Sequence, residues 1–495
     1  MKQYIKIHPQ DTVAVALKEL PEGFSFRPEE GEGFALAERI PRGHKFALRE
    51  IAAGEEVIKY GMPIGRAEKA IGQGEHVHTH NLKTGLGEIL DYRYEPFEIP
   101  EPKAEPRSFR GFRRKGGRCG VRNERWIIPT VGCVNSIVQR LAEQAKPLIS
   151  GSLDNIVAFP HPYGCSQMGD DQENTRRALA ALARHPNAGA VLMVGLGCEN
   201  SNIRVMQDYI GDIDPEKIRY MVCQDEEDEF SKGMSLLKEL ADYAKTFERE
   251  DCDSRALVVG LKCGGSDGLS GITANPAVGR FSDYLIARGG TTILTEVPEM
   301  FGAEQLLMNR CENREVYEKT VRLINDFKQY FIDNDQEIYE NPSPGNKAGG
   351  ITTLEDKSLG CIQKAGHAKV KDVVDYAEEV STGGLNLMNG PGNDLVSATG
   401  LALSGAQIVL FTTGRGTPFA SPVPTIKISS NSPLYEKKPN WIDFNAGRLL
   451  EKSVTLDEVG EELADLVFRT ASGEKVRSEI NGFHDMAIFK KGVTL

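Results

Sequence analysis

The sequence predicts a mixed α/β protein: a small all-β amino-terminal module, a proline-rich linker, then open α/β domains with a mostly parallel sheet. Three observations carry that expectation. A seven-residue motif recurs four times in the first 95 residues, four prolines fall between Glu95 and Arg110, and beyond them short apolar runs alternate with amphipathic stretches.

The repeat is an apolar residue, two spacers, Gly, two further residues and an apolar one. Its copies begin at Leu20 (LPEGFSF), Ile40 (IPRGHKF), Ile51 (IAAGEEV) and Ile71 (IGQGEHV), each reading as a tight turn that feeds a short strand. The proline segment EPFEIPEPKAEPRSFR has little apolar content to bury and reads as a linker, either a free tether or an extended strap over the next domain. After it, strands are expected near 155–159, 190–194, 219–223, 256–261, 291–296 and 407–412. Amphipathic helices are expected at 231–245 and 314–332. At 495 residues the chain exceeds what one core supports, about 250 residues. The expected division is residues 1–95, a linker over 96–110, and α/β domains over 111–250 and 251–495.

Charge narrows the function. With 59 Lys and Arg against 71 Asp and Glu, the net charge of −12 disfavours nucleic acid and anionic lipid as partners. No apolar run approaches the roughly 20 residues of a membrane span, and the opening MKQYIKIHPQ lacks a leader's apolar stretch. A cytoplasmic protein acting on a small molecule is expected, with a homo-oligomer compatible. Nine cysteines spread over so long a chain are expected to be thiols in a reducing compartment.

Several expected strands run into loops rich in Gly, Cys and polar groups: HPYGCSQ from His161, GLGCEN from Gly195, KCGGSDGLSG from Lys262 and TTGRGTP from Thr412. NPSPGNKAGG from Asn341 joins them by composition. Such loops, at the carboxyl ends of strands in an open sheet, converge on a ligand cleft. None carries a nucleotide-binding signature. Cys133, Cys165, Cys198 and Cys263 sit in these loop-like contexts, as packing residues or as thiolate ligands of iron or an iron–sulfur cluster; Cys223, Cys252, Cys311 and Cys361 read as incidental. Three of nine histidines fall in GEHVHTHN, where His76, His78 and His80 would share one face of a strand and suit Fe²⁺, Mn²⁺ or Zn²⁺. His44 and His161 are weaker single candidates. In the basic stretch from Arg107 to Arg122, only Arg122 (GVRNE) lies close to other motif-like residues.

These segments, together with VIKYGMPIG, CGVRNERWIIPTVGCVN, HPYGCSQMGDD, CGGSDGLSGITANPAVGRFSDY, TEVPEMFGAEQLL and NPSPGNKAGGITTLEDKSLGC, resemble the altronate/galactarate dehydratase family along essentially the whole chain. The resemblance implies an amino-terminal module of the SAF (β-clip) type, an α/β remainder and dependence on Fe²⁺ or Mn²⁺. HVHTHN points to the altronate branch. Cys119, which stands where the family pattern leads one to expect an apolar residue, is left out of the site. The implied reaction is dehydration of D-altronate to 2-dehydro-3-deoxy-D-gluconate, a step in galacturonate breakdown.

That chemistry requires a cation to neutralise the charge that develops when the C2 proton leaves, and an acid for the departing C3 hydroxyl. Expected metal ligands are His76 and His78, then His44 and Glu199, with Cys165 or Cys198 if sulfur takes part. Arg122, Ser266, Asn346, Lys347, Asp267 and Arg415 offer substrate contacts, and Lys347, Asp267 or a histidine such as His44 offers the base. The competing expectations are a galactarate or other sugar-acid dehydratase, an iron–sulfur hydro-lyase, and a non-catalytic sugar-acid binding protein.

Overall fold

A computed structural model describes residues 3–27, 33–87, 89–451 and 453–491; Met1 and Lys2 of the opening segment lie outside them. In the amino-terminal module the four repeats pair in twos. Leu20 bridges Ile40 and Ile51 bridges Ile71, all antiparallel and all buried. The glycine of each copy, Gly23, Gly43, Gly54 and Gly74, takes a φ between +73° and +84°, which explains why the motif fixes glycine at its fourth position. Short antiparallel strands follow the turns, among them Val13–Ala16, Lys45–Ala47 and His76–Val77 in one four-stranded sheet.

The linker lies along the carboxyl-terminal domain as a strap. Phe97 N–H donates to Asn309 O and Ala104 N–H to Ala287 O, each at 2.8 Å, and Glu101 pairs with Lys371. The following strand, Ser108–Arg113, pairs antiparallel with Glu250–Asp253 and with Cys119–Gly120. The basic stretch is largely spent on neighbouring acids there: Arg107 on Asp465, Arg113 on Glu250, Arg118 on Glu379. Against the expectation of free thiols throughout, Cys119 and Cys252 form a disulfide across this small sheet, where the Ser108–Arg113 strand sets them on either side of itself.

The middle domain is a four-stranded parallel sheet in the order β2-β1-β3-β4: β1 (Glu124–Pro129), β2 (Asn155–Ala158), β3 (Ala188–Gly195) and β4 (Ile218–Val222). Helices α1 (Asn135–Ala145), α2 (Gly169–Arg184), α3 (Ile203–Ile210) and α4 (Glu229–Ala244) connect and cover it. All eight residues of β3 are buried, as its unbroken apolar run requires of a central strand covered on both faces. Strand β1 escaped the pattern reading because it carries Glu124 and Arg125 inside the core. Trp126 Nε1 donates to Glu124 at 2.8 Å, and burial pushes the Glu124 carboxyl up to about 8.

The carboxyl-terminal domain is a seven-stranded parallel sheet in the order β7-β8-β6-β5-β9-β10-β11. Its strands are β5 (Val258–Cys263), β6 (Thr291–Leu294), β7 (Val370–Val374), β8 (Gly384–Met388), β9 (Ile408–Thr413), β10 (Thr425–Ser429) and β11 (Phe444–Asn445). Among its helices are α5 (Ala274–Ala287), α6 (Arg314–Asp333), the short α7 (Pro344–Ala348) and α8 (Leu354–Cys361). In α6, Asn313 caps the first turn by accepting from Val316 N–H at 3.0 Å, while Val316, Tyr317, Thr320, Ile324 and Phe327 form the buried face. The amino-terminal module docks on the loop at the carboxyl end of β5, with Gly43 against Gly268 and Leu17 beside Leu269, and on the segment between α7 and α8.

Candidate active site

Three imidazoles meet where the amino-terminal module faces the carboxyl-terminal domain. His44 closes the second repeat turn; His76 opens a strand that pairs with it through Phe46 opposite His76; His78 stands two residues further on. His44 Nδ1 lies 2.9 Å from His76 Nε2, and the three rings have one nitrogen each within a 4.8 Å set. His80 does not join them. The strand ends at Val77 and the chain turns, so His80 is left exposed and His44, from another repeat, supplies the third ring. Burial first, then the positive and imidazole neighbours, pushes His76 and His78 down to about 3, and burial lowers His44 as well. Three uncharged imidazoles, His44 buried and His76 and His78 half-open, form a donor set that fits a transition-metal ion.

The opposite wall is the segment 343–353. His44 Nε2 is 3.4 Å from Ala348 O, and His78 Nδ1 is 3.0 Å from Thr352 Oγ1. The contact is backbone to backbone at Gly43, where a Cβ would meet Gly349 O at 2.9 Å and where Gly350 presses from the other side. Lys45, next to His44, donates to Gly350 O at 2.8 Å, Thr352 Oγ1 at 2.7 Å and Asp356 at 2.8 Å; Lys59 donates to the other Asp356 oxygen at 2.9 Å. These three side chains are buried. Burial alone would raise Asp356, but the two ammoniums more than offset it and hold the carboxyl well below its usual range, while burial pushes Lys45 down to about 8.

A narrow crevice of about 10 Å³, room for a single water, runs from this contact into the carboxyl-terminal domain, between Lys59, Tyr60, Ser266, Asp267, Asp356 and Lys357. Ser266 is buried, and its hydroxyl has no partner among the described residues. Beneath the crevice sit Cys263, Glu299 and Cys361, a second set whose ligand atoms fall within 4.8 Å. Ammonium groups crowd that set: Lys364 donates to Cys263 Sγ at 3.1 Å, Lys357 pairs with Glu299 at 2.7 Å, and Lys262 pairs with Glu296. Burial opposes the Glu299 charge, but Lys357 and then Lys364 and Lys262 hold its carboxyl well below the usual range. The bond to Cys263 and then burial raise the Cys361 thiol. Positive charge packed this closely suits a cation less well than the imidazole set does. Glu296 holds a left-handed φ of +72° while accepting from Cys263 N–H, so strained backbone sits at this sheet end. A wider cleft lies at the opposite, amino end of the sheet, where Arg113, Arg118 and Arg255 are already committed to Glu250, Glu379 and Asp253.

Of the residues expected from sequence, His44, His76, His78, Ser266, Asp267, Asn346, Lys347 and Arg415 gather at this one place. Asn346 Nδ2 donates to Ser266 O at 2.8 Å, and Arg415 Nη1 reaches Gly345 O at 3.4 Å. Two of the eight are committed to shaping loops. Asp267 accepts from Ser270, Ser430, Asn431 and Leu269, and the Asn346 carbonyl receives Ser343 in a capping box. Lys347 is half-buried with no ion pair or hydrogen bond from its ammonium among the described residues.

Arg122 is not a substrate residue. It is 1% exposed, grips Glu479 through two nitrogens, and spends the rest of its guanidinium on Val121, Thr470 and Glu474 carbonyls. Cys165, Cys198 and Glu199 lie at the carboxyl end of the middle sheet, in a different domain from the imidazoles. Glu199 is a loop clamp there, accepting from Thr130 Oγ1 and from Leu196 and Gly197 N–H. Sequence reading missed Lys45, Lys59, Asp356, Lys357, Glu299 and the participation of Cys361. One signal was present: Lys45 opens the strand KFA and Lys59 closes the strand EVIK, each next to apolar core residues, and a buried lysine needs a partner.

Residues 2–85 match the Altronate/galactarate dehydratase SAF domain, residues 111–245 the second domain of D-galactarate dehydratase/Altronate hydrolase, and residues 254–494 the D-galactarate/Altronate dehydratase carboxyl-terminal domain. The chain is 53% identical to the altronate dehydratase of Bacillus subtilis (strain 168) and 53% identical to that of Escherichia coli (strain K12), over 100% of each chain. It is 32% identical to the galactarate dehydratase (L-threo-forming) of Escherichia coli (strain K12), over 98% of this chain and 96% of that one. By these full-length matches, on a chain whose SAF module and parallel-sheet domains meet at a three-histidine cleft, the protein belongs to the altronate/galactarate dehydratase family.

Proposed function

We propose that this chain dehydrates D-altronate to 2-dehydro-3-deoxy-D-gluconate with Fe²⁺ or Mn²⁺ held by His44, His76 and His78. The observation that carries the reading is the three-imidazole set facing loops that hold Ser266, Lys347 and Arg415. An all-nitrogen donor set favours Fe²⁺ over the more oxygen-seeking Mn²⁺. The two altronate enzymes, at 53% identity against 32% for the galactarate enzyme, support the altronate branch.

When bound, the ion supplies a Lewis acid beside the substrate carboxylate. The chain's own side chains do the rest. The Arg415 guanidinium pairs with the carboxylate, the unpartnered Ser266 hydroxyl takes a substrate hydroxyl, and Lys347 accepts the C2 proton and hands it to the departing C3 hydroxyl, which leaves as water. Asp267, with four donors on its oxygens, fixes the loop and is not the base. In this reading residues 1–95 bring the metal, residues 251–495 bring the substrate contacts, and the enzyme works in the cytoplasm on a free sugar acid. No helix among the described residues is long and apolar enough to cross a membrane.

The deciding experiment strips metal from the whole enzyme, reloads it with Fe²⁺ or Mn²⁺, and follows formation of the 2-keto-3-deoxy acid from D-altronate and from galactarate. Turnover of altronate that depends on the added ion supports the proposal. Turnover of galactarate alone, or of neither acid, sinks it.

A further inference from the structure

Every strand of the middle domain's sheet leads into a cysteine: Cys133 after β1, Cys165 after β2, Cys198 after β3 and Cys223 after β4. With the order β2-β1-β3-β4, the chain leaves β1 towards one edge and returns to build the other on β3. The carboxyl end between β1 and β3 is therefore the switch point at which open α/β sheets bind ligands. Cys133, Cys165 and Cys198 are free and exposed there, although a thiol is among the side chains most often buried.

The loops bearing these thiols are bound to one another. Gly132 N–H donates to Tyr163 O at 2.9 Å, Ser201 N–H to Gly164 O at 3.3 Å, and Ser166 N–H to Asn200 Oδ1 at 3.2 Å. The Glu199 clamp ties the loop after β1, through Thr130, to the loop after β3. A Cβ at Gly164 would meet Thr130 O at 2.0 Å, and one at Gly132 would meet His161 O at 2.8 Å, so the loops need glycine in order to close up. Ser166, beside Cys165, holds a left-handed φ of +58°. Helices α1, α2 and α3 begin just past the three loops, directing the positive ends of their dipoles to this rim.

Sulfurs on one tetrahedral ion sit about 3.8 Å apart for metal–sulfur bonds near 2.3 Å. The three thiols are not among the sets that gather within 4.8 Å, and neighbouring strand ends are themselves about 4.8 Å apart. Thiolates from three separate loops that do not gather on one ion suit a polynuclear iron centre, in which each thiolate binds a different iron.

We propose that Cys133, Cys165 and Cys198 hold an iron–sulfur cluster through three thiolates, at a site separate from the three imidazoles. Each thiol gives its proton to solvent as its sulfur–iron bond forms, and no protein group is oxidised or reduced. One iron keeps no protein ligand and stays open to an oxygen of water or of a small hydroxy acid. Cys223 stays outside the set. It is half-buried, and burial first, then Glu229, Glu199 and Glu226, push its thiol up to about 11.

The test uses the whole enzyme, isolated without oxygen and also reconstituted with iron and sulfide under a thiol reductant. Acid-labile sulfide, iron and the sulfur-to-iron charge-transfer absorbance are measured together. The wild type, C223S and H76A are expected to carry sulfide and colour, and C133S, C165S and C198S to lose both while circular dichroism stays native. A wild type that holds no acid-labile sulfide in either preparation overturns the proposal whether or not the serine variants fold. Colour that survives in the triple variant C133S/C165S/C198S, or that disappears in H76A, overturns it too. The imidazole reading fails separately, through Mn²⁺ binding that is unchanged in H76A.

Discussion

Lys45 of the amino-terminal module donates to Asp356 of the carboxyl-terminal domain at 2.8 Å, with both side chains fully buried. Lys59 reaches the other oxygen of the same carboxylate, so one acid anchors two ammoniums from a module some 300 residues away in the chain. A buried pair of this kind adds little over well-packed apolar groups, but breaking it is costly because it leaves a charge without a partner.

Asp356→Asn is therefore expected to destabilise the docked state by about 3–5 kcal/mol, read as a lowered midpoint in urea. Lys45→Met and Lys59→Met with Asp356→Leu, which removes all three charges, is expected to lose less than Asp356→Asn. A triple variant less stable than the single one contradicts the anchoring role.

The imidazole set predicts an unequal response among four histidines. His44→Ala, His76→Ala and His78→Ala are expected to abolish tight Fe²⁺ or Mn²⁺ binding, while His80→Ala leaves it intact. Thr352→Val, which removes the partner of His78 Nδ1, is expected to weaken binding roughly 10–100-fold. Calorimetric titration with Mn²⁺ measures all five.

The pH dependence has a definite sign. Burial puts His76 and His78 at about 3, against about 6.5 in the unfolded chain, so the unfolded state binds more protons between those values. Stability of the metal-free protein is expected to fall as pH drops through that window. Mn²⁺ affinity is expected to stay nearly level from pH 7 to about pH 5, because the ring nitrogens remain unprotonated there. A tenfold loss of affinity per pH unit over that range contradicts the assignment.

Arginine substitutions separate site from scaffold. Arg415→Ala and Lys347→Ala are expected to cost roughly tenfold to a hundredfold in kcat/KM, the worth of one charge-assisted contact at about 1.5–3 kcal/mol, with the melting temperature unchanged. Arg122→Ala does the reverse, lowering stability by about 3–5 kcal/mol because Glu479 is left buried and charged. Kinetics and melting curves of the three variants together check the distinction.

The strap is exposed over most of its length, so limited proteolysis within 98–106 is expected to nick the chain. The two pieces are expected to stay together on gel filtration, held by Lys45, Lys59 and Asp356. Separation of the fragments without denaturant argues against the buried anchor.

Periodic features were readable in the sequence. The four glycine turns, the strands β2 to β6 and β9, and helix α6 all announce themselves through local spacing, and the loops after β5 and β9 mark the cleft. Three-dimensional partnerships were not readable. Arg122 looks available until Glu479 closes on it from 357 positions away, and His44 looks secondary until strand pairing sets it against His76. Strands β1 and β10 carry Arg125 and Lys427 in fully buried positions, which breaks the apolar pattern a fully covered strand normally displays. The Cys119–Cys252 link follows from a strand order that no spacing encodes.

The close approach of Gly43 to Gly349 and Gly350 makes the candidate site a seam. The imidazoles stand on one side of it, the loops holding Ser266, Lys347 and Arg415 on the other, and no single domain owns both halves. The strap then acts as a tether that sets the effective concentration of one half at the other, while the glycine contact sets their registration. A variant that lengthens the tether changes how often the halves meet; one that adds a methyl group at Gly43 changes whether they fit.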